Sequence, residues 1–482
     1  MTASTQTKSA AAALLGLNSK VKKTAATPAV STSSRIGLSL EQEEALSVSS
    51  HRTVITALAG AGKSRVLAEY AQRNPTRKWS YLAFNKAMAQ TASRDMPNTD
   101  CRTLHSLAFS RFGAAHEDRI GIPWSLGRVL EWAGQDASAN LAALWVSVVF
   151  RFIASADREI GVSHIPFADW KRWQEKSGAT SEDAKQVIAA ATRIWEGMIS
   201  PGSGLPMELD ATVKLMQLSD LNPFSKGASL LVDEAQDLTP CIRSWLDGLP
   251  VPIIRAGDPY QSIYGWRMQG LSTPWLGRDE VERWLCGSWR FGPEIANLAS
   301  RPLAFLGCPH TISGLGGPTK VDSAPTRSGV LLARTRSGLL AQAIKEAAQG
   351  RKLSLEYAPW LAQALKFAPT EDEFAPTEDK SWERAALDNR KVLSESLDPN
   401  GLILMTAHAS KGGTFDSVRL ADDFSWPPKR QSEEGSLSEE ARVLYVALTR
   451  AKTHLSLPEK LLNSLQTSGD ISSGAALEDD GF

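Results

Sequence analysis

The chain has 482 residues, of which 42% are hydrophobic and 22% are charged, a balance typical of globular proteins with more than one domain. Lys plus Arg and Asp plus Glu number 53 each, so overall charge identifies no polyanionic partner and any basic groove must be local. The four cysteines form no C-x-x-C pair, which argues against zinc and disulfide frameworks and favours a reducing compartment. No apolar run approaches the ~18 residues of a membrane helix, so we expect no membrane partner.

The N-terminal segment, residues 1–36, is rich in Ala, Ser and Thr and has no acidic residue. This composition is typical of a disordered basic tail that adds nonspecific attraction to phosphate, and it also fits an organelle transit peptide. We predict a tail here and a second disordered tail over 463–482. The expected location is the cytoplasm, in association with the nucleoid, or the nucleus.

Short β-branched runs alternate with helical patterns over 37–112 and 226–284. The predicted strands lie at 53–56, 79–84, 229–237 and 251–259. Such alternation implies a parallel, doubly wound sheet with ligands beyond the carboxyl ends of its strands. Residues 113–225 lack β runs and are predicted to form a helical insertion.

A second α/β set predicts a second lobe over 285–339 and 400–462. Its predicted elements are strands at 329–336, 402–408 and 417–424 and a helix at 438–452. Between the two parts, residues 340–399 are polar and contain the tandem repeat "FAPTEDE FAPTEDK" at 367–380. This composition predicts a reduced second insertion or linker.

The stretch "TALAGAGKSRV", residues 56–66, nearly matches the phosphate-loop pattern G-x-x-x-x-G-K-[ST], with Ala57 at the place of the first glycine. It follows a predicted strand and opens a predicted helix, which is the required setting. Backbone N–H groups of such a loop bind phosphate. Lys63 would reach the β and γ phosphates and Ser64 would ligate Mg²⁺. The stretch therefore predicts a nucleoside triphosphate site.

Two carboxylates follow an apolar strand in "VDEAQD". Asp233 would hold Mg²⁺ and Glu234 would orient and deprotonate the attacking water. The alternative is a solvated acidic turn. Hydrolysis also needs arginine against the developing charge. Arg290 and Arg450 are the candidates, although each also fits a surface helix arginine.

Nine segments in a fixed order carry a family resemblance. They are "LSLEQEEAL", "ALAGAGKS", "LAFNKAMAQ", "CRTLHSLAF", "LVDEAQD", "AGDPYQSIYGWRM", "LCGSWRF", "LMTAHASKGGTFDSV" and "EEARVLYVALTRAK". From about Leu38 to Leu455 the chain resembles the UvrD/Rep-like superfamily 1 DNA helicases. "FNKAMAQ", "CRTLHSLAF" and "LADDF" look most like the eukaryotic F-box DNA helicase branch, although no segment before the loop is long and apolar enough for an F-box.

The resemblance implies a fold and a set of nucleotide contacts. The fold is α/β, with two RecA-like parallel-sheet lobes, an inserted helical subdomain and a reduced second insertion. ATP and Mg²⁺ are the implied cofactors. The implied nucleotide contacts are Gln42 on adenine, Trp289 stacked on adenine, Gly60, Ala61, Gly62, Lys63 and Ser64 around the phosphates, and Gln261, Arg290 and Arg450 at the γ phosphate.

The resemblance also implies a channel for single-stranded DNA, built from aromatic faces and phosphate donors. Trp266 would stack on a base, Phe84 and Asn85 would line a base pocket, Thr103 and His105 would touch the backbone, and His408 would face the strand from the second lobe. The alternative for each is core packing or a surface turn.

One motif departs from the family pattern. The usual "KGLE" reads "KGGTF", so Gly413 and Thr414 replace the pair that ends in a ribose-binding glutamate. Sugar selectivity or coupling to unwinding is therefore expected to differ.

The implied function is an ATP-driven motor that moves 3′ to 5′ on single-stranded DNA and unwinds duplex DNA in repair, recombination or replication. The partners would be single-stranded and tailed duplex DNA, with a monomer or weak self-association. Three alternatives stay open. They are a translocase that strips proteins from single strands, a non-catalytic DNA-binding protein, and an enzyme that acts on RNA.

Overall fold

The computed structural model describes residues 37–47, 50–133, 138–177, 181–265, 271, 274–324, 329–366, 385–386, 388–429 and 436–467. Trp266, the tandem repeat at 367–380 and the predicted N-terminal tail lie outside the described residues. The chain divides into two compact units. The first comprises residues up to 54, 64–256 and 264–283, and the second comprises residues 55–63, 257–263 and those from 284 onward.

The first sheet has six strands in the order β3-β2-β4-β5-β1-β6. They are β1 (Arg52–Ala57), β2 (Lys78–Ala83), β3 (Thr99–Thr103), β4 (Ala228–Val232), β5 (Ile253–Gly257) and β6 (Val281–Leu285). β2 pairs in parallel with β3 and β4, and β4 pairs in parallel with β5. β4 and β5 are buried along their whole length. This is typical of strands in a parallel sheet that is covered on both faces.

The helices before β6 alternate with strands on either side of a run of successive helices. They are α1 (Leu40–Leu46), α2 (Lys63–Arg73), α3 (Lys86–Asp95), α4 (Leu104–Phe112), α5 (Leu126–Ala133), α6 (Ala139–Ala154), α7 (Phe167–Ser177), α8 (Ser181–Ile199), α9 (Leu209–Leu218) and α10 (Pro240–Gly248).

The segment predicted to be a helical insertion is built from α5 to α9. α6 and α8 share an apolar core that includes Val148, Phe152 and Trp195, all at most 7% exposed. Helices pack here because their apolar residues recur every three or four positions and form one buried stripe.

The second sheet also has six strands, in the order β11-β12-β10-β13-β14-β9. They are β9 (Lys320–Asp322), β10 (Val330–Ala333), β11 (Leu353–Ser354), β12 (Leu402–Thr406), β13 (Phe415–Leu420) and β14 (Ala451–Ser456). Each neighbouring pair is parallel. A small parallel pair joins β7 (Gly287–Ser288) to β8 (Ser313–Gly314). The predicted α/β class with parallel sheets is therefore confirmed.

The remaining helices lie before, between and after the strands of the second sheet in chain order. They are α11 (Pro293–Phe305), α12 (Arg336–Ala348), α13 (Pro359–Lys366), α14 (Arg390–Glu395), α15 (Ala407–Ser410), α16 (Leu437–Leu448) and α17 (Glu459–Thr467). None of the helices within the described ranges combines the length and apolarity that crossing a bilayer demands.

Several boundaries differ from the sequence prediction. The strands predicted at 229–237, 329–336 and 417–424 end earlier, at Val232, Ala333 and Leu420. The helix predicted over 438–452 ends at Leu448, and strand β14 begins at Ala451. The Thr449 hydroxyl donates back to the carbonyls of Tyr445 and Val446, and the turn that follows redirects the chain. β11 pairs in the second sheet although it lies inside the predicted insertion, because a two-residue strand leaves no alternating pattern to detect. α17 extends five residues into the segment predicted as the C-terminal tail.

A buried ion pair anchors the segment before β6. Arg255, on β5, is 3% exposed at its side chain and donates to both carboxylate oxygens of Glu280, which is 8% exposed. Arg243, on α10, donates to Glu280 at 2.9 Å. Burial alone would raise the pKa of Glu280, but the hydrogen bonds and charge of Arg255 outweigh it and lower that pKa to about 2.

Removing this carboxylate should destabilise the protein. Glu280→Gln leaves the buried Arg255 without its anion and Arg243 with Asp247 alone, so we expect the free energy of unfolding at pH 7 to fall by about 3–5 kcal/mol. Because the pKa of Glu280 is lower in the folded protein, its contribution to the free energy of unfolding is complete above about pH 4.5. That contribution is lost as the pH falls towards 2. Urea unfolding across this pH range measures it.

The matched control is Glu182→Gln. Glu182 pairs with Lys185 on α8, and both side chains are about 70% exposed, at 68% and 73%. That substitution should cost less than about 1 kcal/mol. Equal losses in the two variants would contradict a dominant role for the buried pair.

Candidate nucleotide and DNA site

The Gly-rich loop depends on two glycines. Gly60 and Gly62 have φ of 78° and 91°, in the left-handed region that glycine adopts without strain. A Cβ on Gly60 would lie 2.5 Å from the Ser288 hydroxyl oxygen and 2.7 Å from the Arg290 Cβ. Ala57, by contrast, is the fully buried last residue of β1. The first glycine of the usual pattern therefore falls on a strand position that alanine fills.

The loop is tied to its neighbours through the backbone. The Ala61 N–H donates to the Leu58 carbonyl, and the Trp289 N–H donates to the Gly60 carbonyl, both at 3.0 Å. The Trp289 ring is 39% exposed. α2 begins at Lys63, so the backbone N–H groups of its first turn follow the loop directly.

A carboxylate with no solvent exposure lies behind the loop. Asp258 Oδ2 accepts from the Gln261 side-chain amide at 2.6 Å and from the Tyr445 hydroxyl at 3.1 Å, and Oδ1 accepts from the Tyr260 N–H. The Tyr445 hydroxyl in turn accepts from the Ala59 N–H at 2.9 Å. Burial raises the pKa of Asp258, while the positive charge of Lys63 and these hydrogen bonds oppose the rise.

The two predicted γ-phosphate residues Gln261 and Arg450 contact each other. An Arg450 N–H donates to Gln261 Oε1 at 3.0 Å, and a second donates to the Gly413 carbonyl at 3.1 Å. Arg450 is 1% exposed and follows the end of α16, so it is not a surface helix arginine. Arg290 donates to the Thr449 carbonyl at 2.8 Å. The structure therefore gathers Gln261, Arg290 and Arg450 around one turn.

The predicted magnesium residues meet in the first unit. The Ser64 hydroxyl donates to Asp233 Oδ2 at 2.9 Å, and the Tyr81 hydroxyl donates to the same oxygen at 2.6 Å. Tyr81, on β2, was not predicted from the sequence. Burial and the charge of Asp233 raise the pKa of its hydroxyl, which therefore stays a donor. Asp233 is 3% exposed and sits just after β4.

Glu234 has an uncommon backbone. Its φ of 52° and ψ of 44° lie in the left-handed region, which costs a residue with a Cβ about 1–2 kcal/mol. Gln236 donates to the Glu234 carboxylate at 2.5 Å, and the Glu234 N–H donates to Asp233 Oδ1. Strain of this kind concentrates at functional sites, where it aims a side chain.

Within each unit, the residues have the chemistry that a magnesium-bound triphosphate requires. Mg²⁺ in such sites takes one or two protein oxygens and completes its shell with phosphate and water, and Ser64 and Asp233 supply two adjacent oxygens. The left-handed glycines and the start of α2 supply backbone donors for phosphate. Gln42, predicted to contact adenine, is 1% exposed, and its side-chain oxygen accepts from the Ser39 N–H in a capping box on α1.

The predicted DNA residues of the first unit lie at one sheet edge. β2 and β3 pair with Ala83 opposite Thr103, so the residues after both strands emerge together. Asn85 caps α3 through the Met88 N–H, and Thr103 caps α4 through the Ser106 N–H. His105 Nε2 lies 2.6 Å from Asp210 Oδ1, on α9.

Tyr264 is a further residue that the sequence prediction missed. Its ring is parallel to the Phe84 ring within 3°, with centroids 6.2 Å apart. Its place in "QSIYGW", two residues before Trp266, was the available signal. A cavity of about 160 Å³ also opens at this edge, and its lining includes Phe84, His105 and Glu234.

His408, predicted to face DNA, lies on α15 in the second unit. Burial, the charge of Arg334 and the charge of Lys411 lower its pKa to about 4, against a hydrogen bond to the Ile263 backbone. The imidazole is therefore neutral near pH 7, so any contact with phosphate would be a hydrogen bond without an ion pair.

The fold and site define a protein with parallel sheets and a phosphate loop followed by a carboxylate pair. Comparison with known families agrees. Residues 42–267 match an AAA domain, and residues 355–459 match a UvrD-like helicase C-terminal domain.

Curated relatives extend over most of the chain. F-box DNA helicase protein 1 of Schizosaccharomyces pombe is 29% identical over 494 aligned positions, covering 84% of this chain and 55% of the relative. F-box DNA helicase 1 of Gallus gallus is 26% identical over 526 positions, covering 91% and 51%. A putative ATP-dependent DNA helicase of Bacillus subtilis, YjcD, is 44% identical over 82 positions, covering 15% and 10%.

The chain thus spans about half the length of the two F-box DNA helicases that it matches. Together, these comparisons show that the chain carries matches to an AAA domain and to a UvrD-like helicase C-terminal domain, and that it is similar to F-box DNA helicases over most of its length. The resemblance noted in the motifs is confirmed.

Gly60→Ala tests the loop geometry. A Cβ there meets Ser288 and Arg290 and strains a left-handed backbone, so ATP affinity should fall about tenfold or more, equivalent to about 1.4 kcal/mol. Binding of a fluorescent ATP analogue measures this loss. Gly202→Ala is the matched control, because its φ is also positive, at 76°, with nothing within 4 Å of the added Cβ. Equal ATP affinity in both variants would contradict the crowded-loop explanation.

Proposed function

We propose that this protein is an ATP- and Mg²⁺-dependent motor that moves 3′ to 5′ along single-stranded DNA and unwinds duplex DNA. The observation that carries the hydrolysis part of the proposal is the buried Arg450, which donates to Gln261 behind the Gly-rich loop. The 3′ to 5′ direction and the unwinding are what the motif resemblance implies. A fully desolvated arginine bonded to a neutral amide keeps its charge available, as transition-state stabilisation of phosphoryl transfer requires.

The residues divide the proposed chemistry among them. Bound Mg²⁺ would neutralise phosphate charge, held through Ser64 and Asp233. Glu234 would accept the proton of the attacking water, and Gln236 fixes one of its oxygens. Lys63, Arg290 and Arg450 would balance the negative charge that develops on the phosphates. Trp289, more than a third exposed, offers a face on which adenine would stack.

The DNA proposal is supported by the sheet edge in the first unit. The parallel rings of Phe84 and Tyr264 present aromatic faces, and the helix starts at Asn85 and Thr103 present backbone donors. Single strands bind to such combinations of stacking surfaces and phosphate donors. The names of the relatives say that they are DNA helicases. A role in repair, recombination or replication is proposed from the motif resemblance alone.

A second candidate function keeps translocation and removes unwinding. Gly413, which replaces a residue of the usual "KGLE" motif, accepts from Arg450 through its carbonyl, so the altered motif touches the proposed catalytic arginine. A change of coupling at this point would favour a translocase that strips proteins from single strands.

Tailed duplexes test the proposal directly. With ATP and Mg²⁺, we expect strand release from a labelled duplex with a 3′ tail and none from the same duplex with a 5′ tail. Glu234→Gln is the control and should bind ATP while releasing no strand, because the water loses its proton acceptor. Unlabelled RNA should fail to compete.

Other outcomes separate the alternatives. DNA-stimulated ATP turnover without strand release, together with displacement of streptavidin from biotinylated single strands, would favour the stripping translocase. Wild-type protein with no more DNA-stimulated turnover than Lys63→Ala would refute both motor functions.

Phe84 variants test base stacking. Phe84→Ala should weaken single-strand DNA binding by about 1–3 kcal/mol, since it removes an aromatic face. Phe84→Leu keeps apolar bulk without that face and should lose about the same. Fluorescence anisotropy with labelled oligonucleotides measures both, and ATP binding should stay normal. Full affinity in Phe84→Leu would show that the ring acts through packing alone.

A further inference from the structure

We propose that Tyr445 is a positioning residue of the nucleotide site, whose hydroxyl joins the Gly-rich loop to the Gln261–Arg450 pair through Asp258. The inference rests on the proposed ATP hydrolysis. It concerns a residue whose hydroxyl bonds to Ala59 and Asp258, which are neighbours of predicted nucleotide residues.

The hydroxyl makes two directional bonds inside the second unit. It accepts from the Ala59 N–H at 2.9 Å and donates to Asp258 Oδ2 at 3.1 Å. Ala59 directly precedes Gly60, the first left-handed glycine of the loop. Tyr445 is fully buried on α16, five residues before Arg450. One hydroxyl thus bonds the loop backbone on one side and the buried carboxylate on the other.

The bonds continue from the carboxylate to the arginine. Asp258 Oδ2 also accepts from the Gln261 Nε2 at 2.6 Å, and Gln261 Oε1 accepts from Arg450 at 3.0 Å. Because a carboxylate only accepts and a guanidinium only donates, the Gln261 amide has one permitted orientation between them. The chain of bonds therefore fixes which end of Gln261 faces Arg450.

The hydroxyl has a role separate from the packing of its ring. The ring belongs to the apolar core of the second unit, which a phenylalanine ring would fill equally. Deleting the oxygen leaves the Ala59 N–H without its acceptor and Asp258 with one donor fewer, both in buried surroundings. Buried chains of hydrogen bonds reinforce one another, so the loss would reach Gln261.

A positioning role predicts a particular kinetic signature. The loop keeps its glycines, Lys63 and the start of α2 in Tyr445→Phe, so ATP should still bind. Gln261 and Arg450 lose their fixed placement, which matters when charge develops during hydrolysis. The expected result is a fall in kcat with little change in KM.

The experiment measures DNA-stimulated ATP turnover of the full chain. Tyr445→Phe should lower kcat about tenfold to a hundredfold, the scale that small misplacements cost, while KM for ATP stays within about threefold of wild type. Tyr357→Phe is the matched control, since Tyr357 lies in the same unit, is 45% exposed, and should leave both values unchanged. Thermal melting checks that the variants are folded.

A double-mutant cycle supplies the second measurement. Asp258→Asn breaks the same chain of bonds, so the double variant Tyr445→Phe/Asp258→Asn should be about as slow as the slower single variant. Multiplied effects, or wild-type kcat in a folded Tyr445→Phe protein, would overturn the inference. If Tyr445→Phe does not fold, Asp258→Asn is the remaining test. A lowered kcat at constant KM would support the inference, and an unchanged kcat would overturn it. Absence of turnover in wild type would instead refute the proposed hydrolysis.

Discussion

The second unit is organised around a carboxylate that has no contact with solvent. Burying Asp258 is costly unless donors surround it, and Gln261, Tyr260 and Tyr445 supply them from the turn after β5 and from α16. Each donor belongs to a segment that also carries a predicted nucleotide residue. Satisfying one buried charge therefore places the Gly-rich loop, the end of β5 and the end of α16 in one fixed arrangement, and Arg450, two residues after α16, is buried beside Gln261.

In the first unit a different tyrosine, Tyr81, donates to a nearly buried aspartate. Asp233 is nearly buried at the end of β4, and Tyr81 and Ser64 donate to one of its oxygens. The second oxygen accepts from the Glu234 N–H, which helps to hold Glu234 in its left-handed conformation. In both units a tyrosine hydroxyl in a buried place satisfies an aspartate that follows a buried strand. Parallel sheets favour this design, because their strand ends converge at one edge where polar groups are needed.

Motif residues could be predicted because residue type and spacing within a short segment indicate their chemistry. Gly60, Gly62 and Lys63 follow a β-branched strand, and Asp233 follows an apolar one, so spacing alone indicated the site. Their partners could not be predicted in this way. Tyr81 and Tyr445 reach their aspartates across 152 and 187 residues of sequence, and no local pattern records such a contact. The adenine, magnesium and DNA roles stay predictions that rest on the family.

The sequence by itself determined the α/β class, the order of seven of its strands, and the loop and carboxylate that mark a triphosphate site. Periodicity and glycine placement are local properties, so they can be recognised in the sequence without the fold. Tertiary structure alone decided that Arg450 is buried after the helix, that Gln261 is held between a carboxylate and a guanidinium, and that β11 joins the second sheet. These outcomes depend on which distant groups compensate each other's desolvation, and that compensation exists only once the chain is folded.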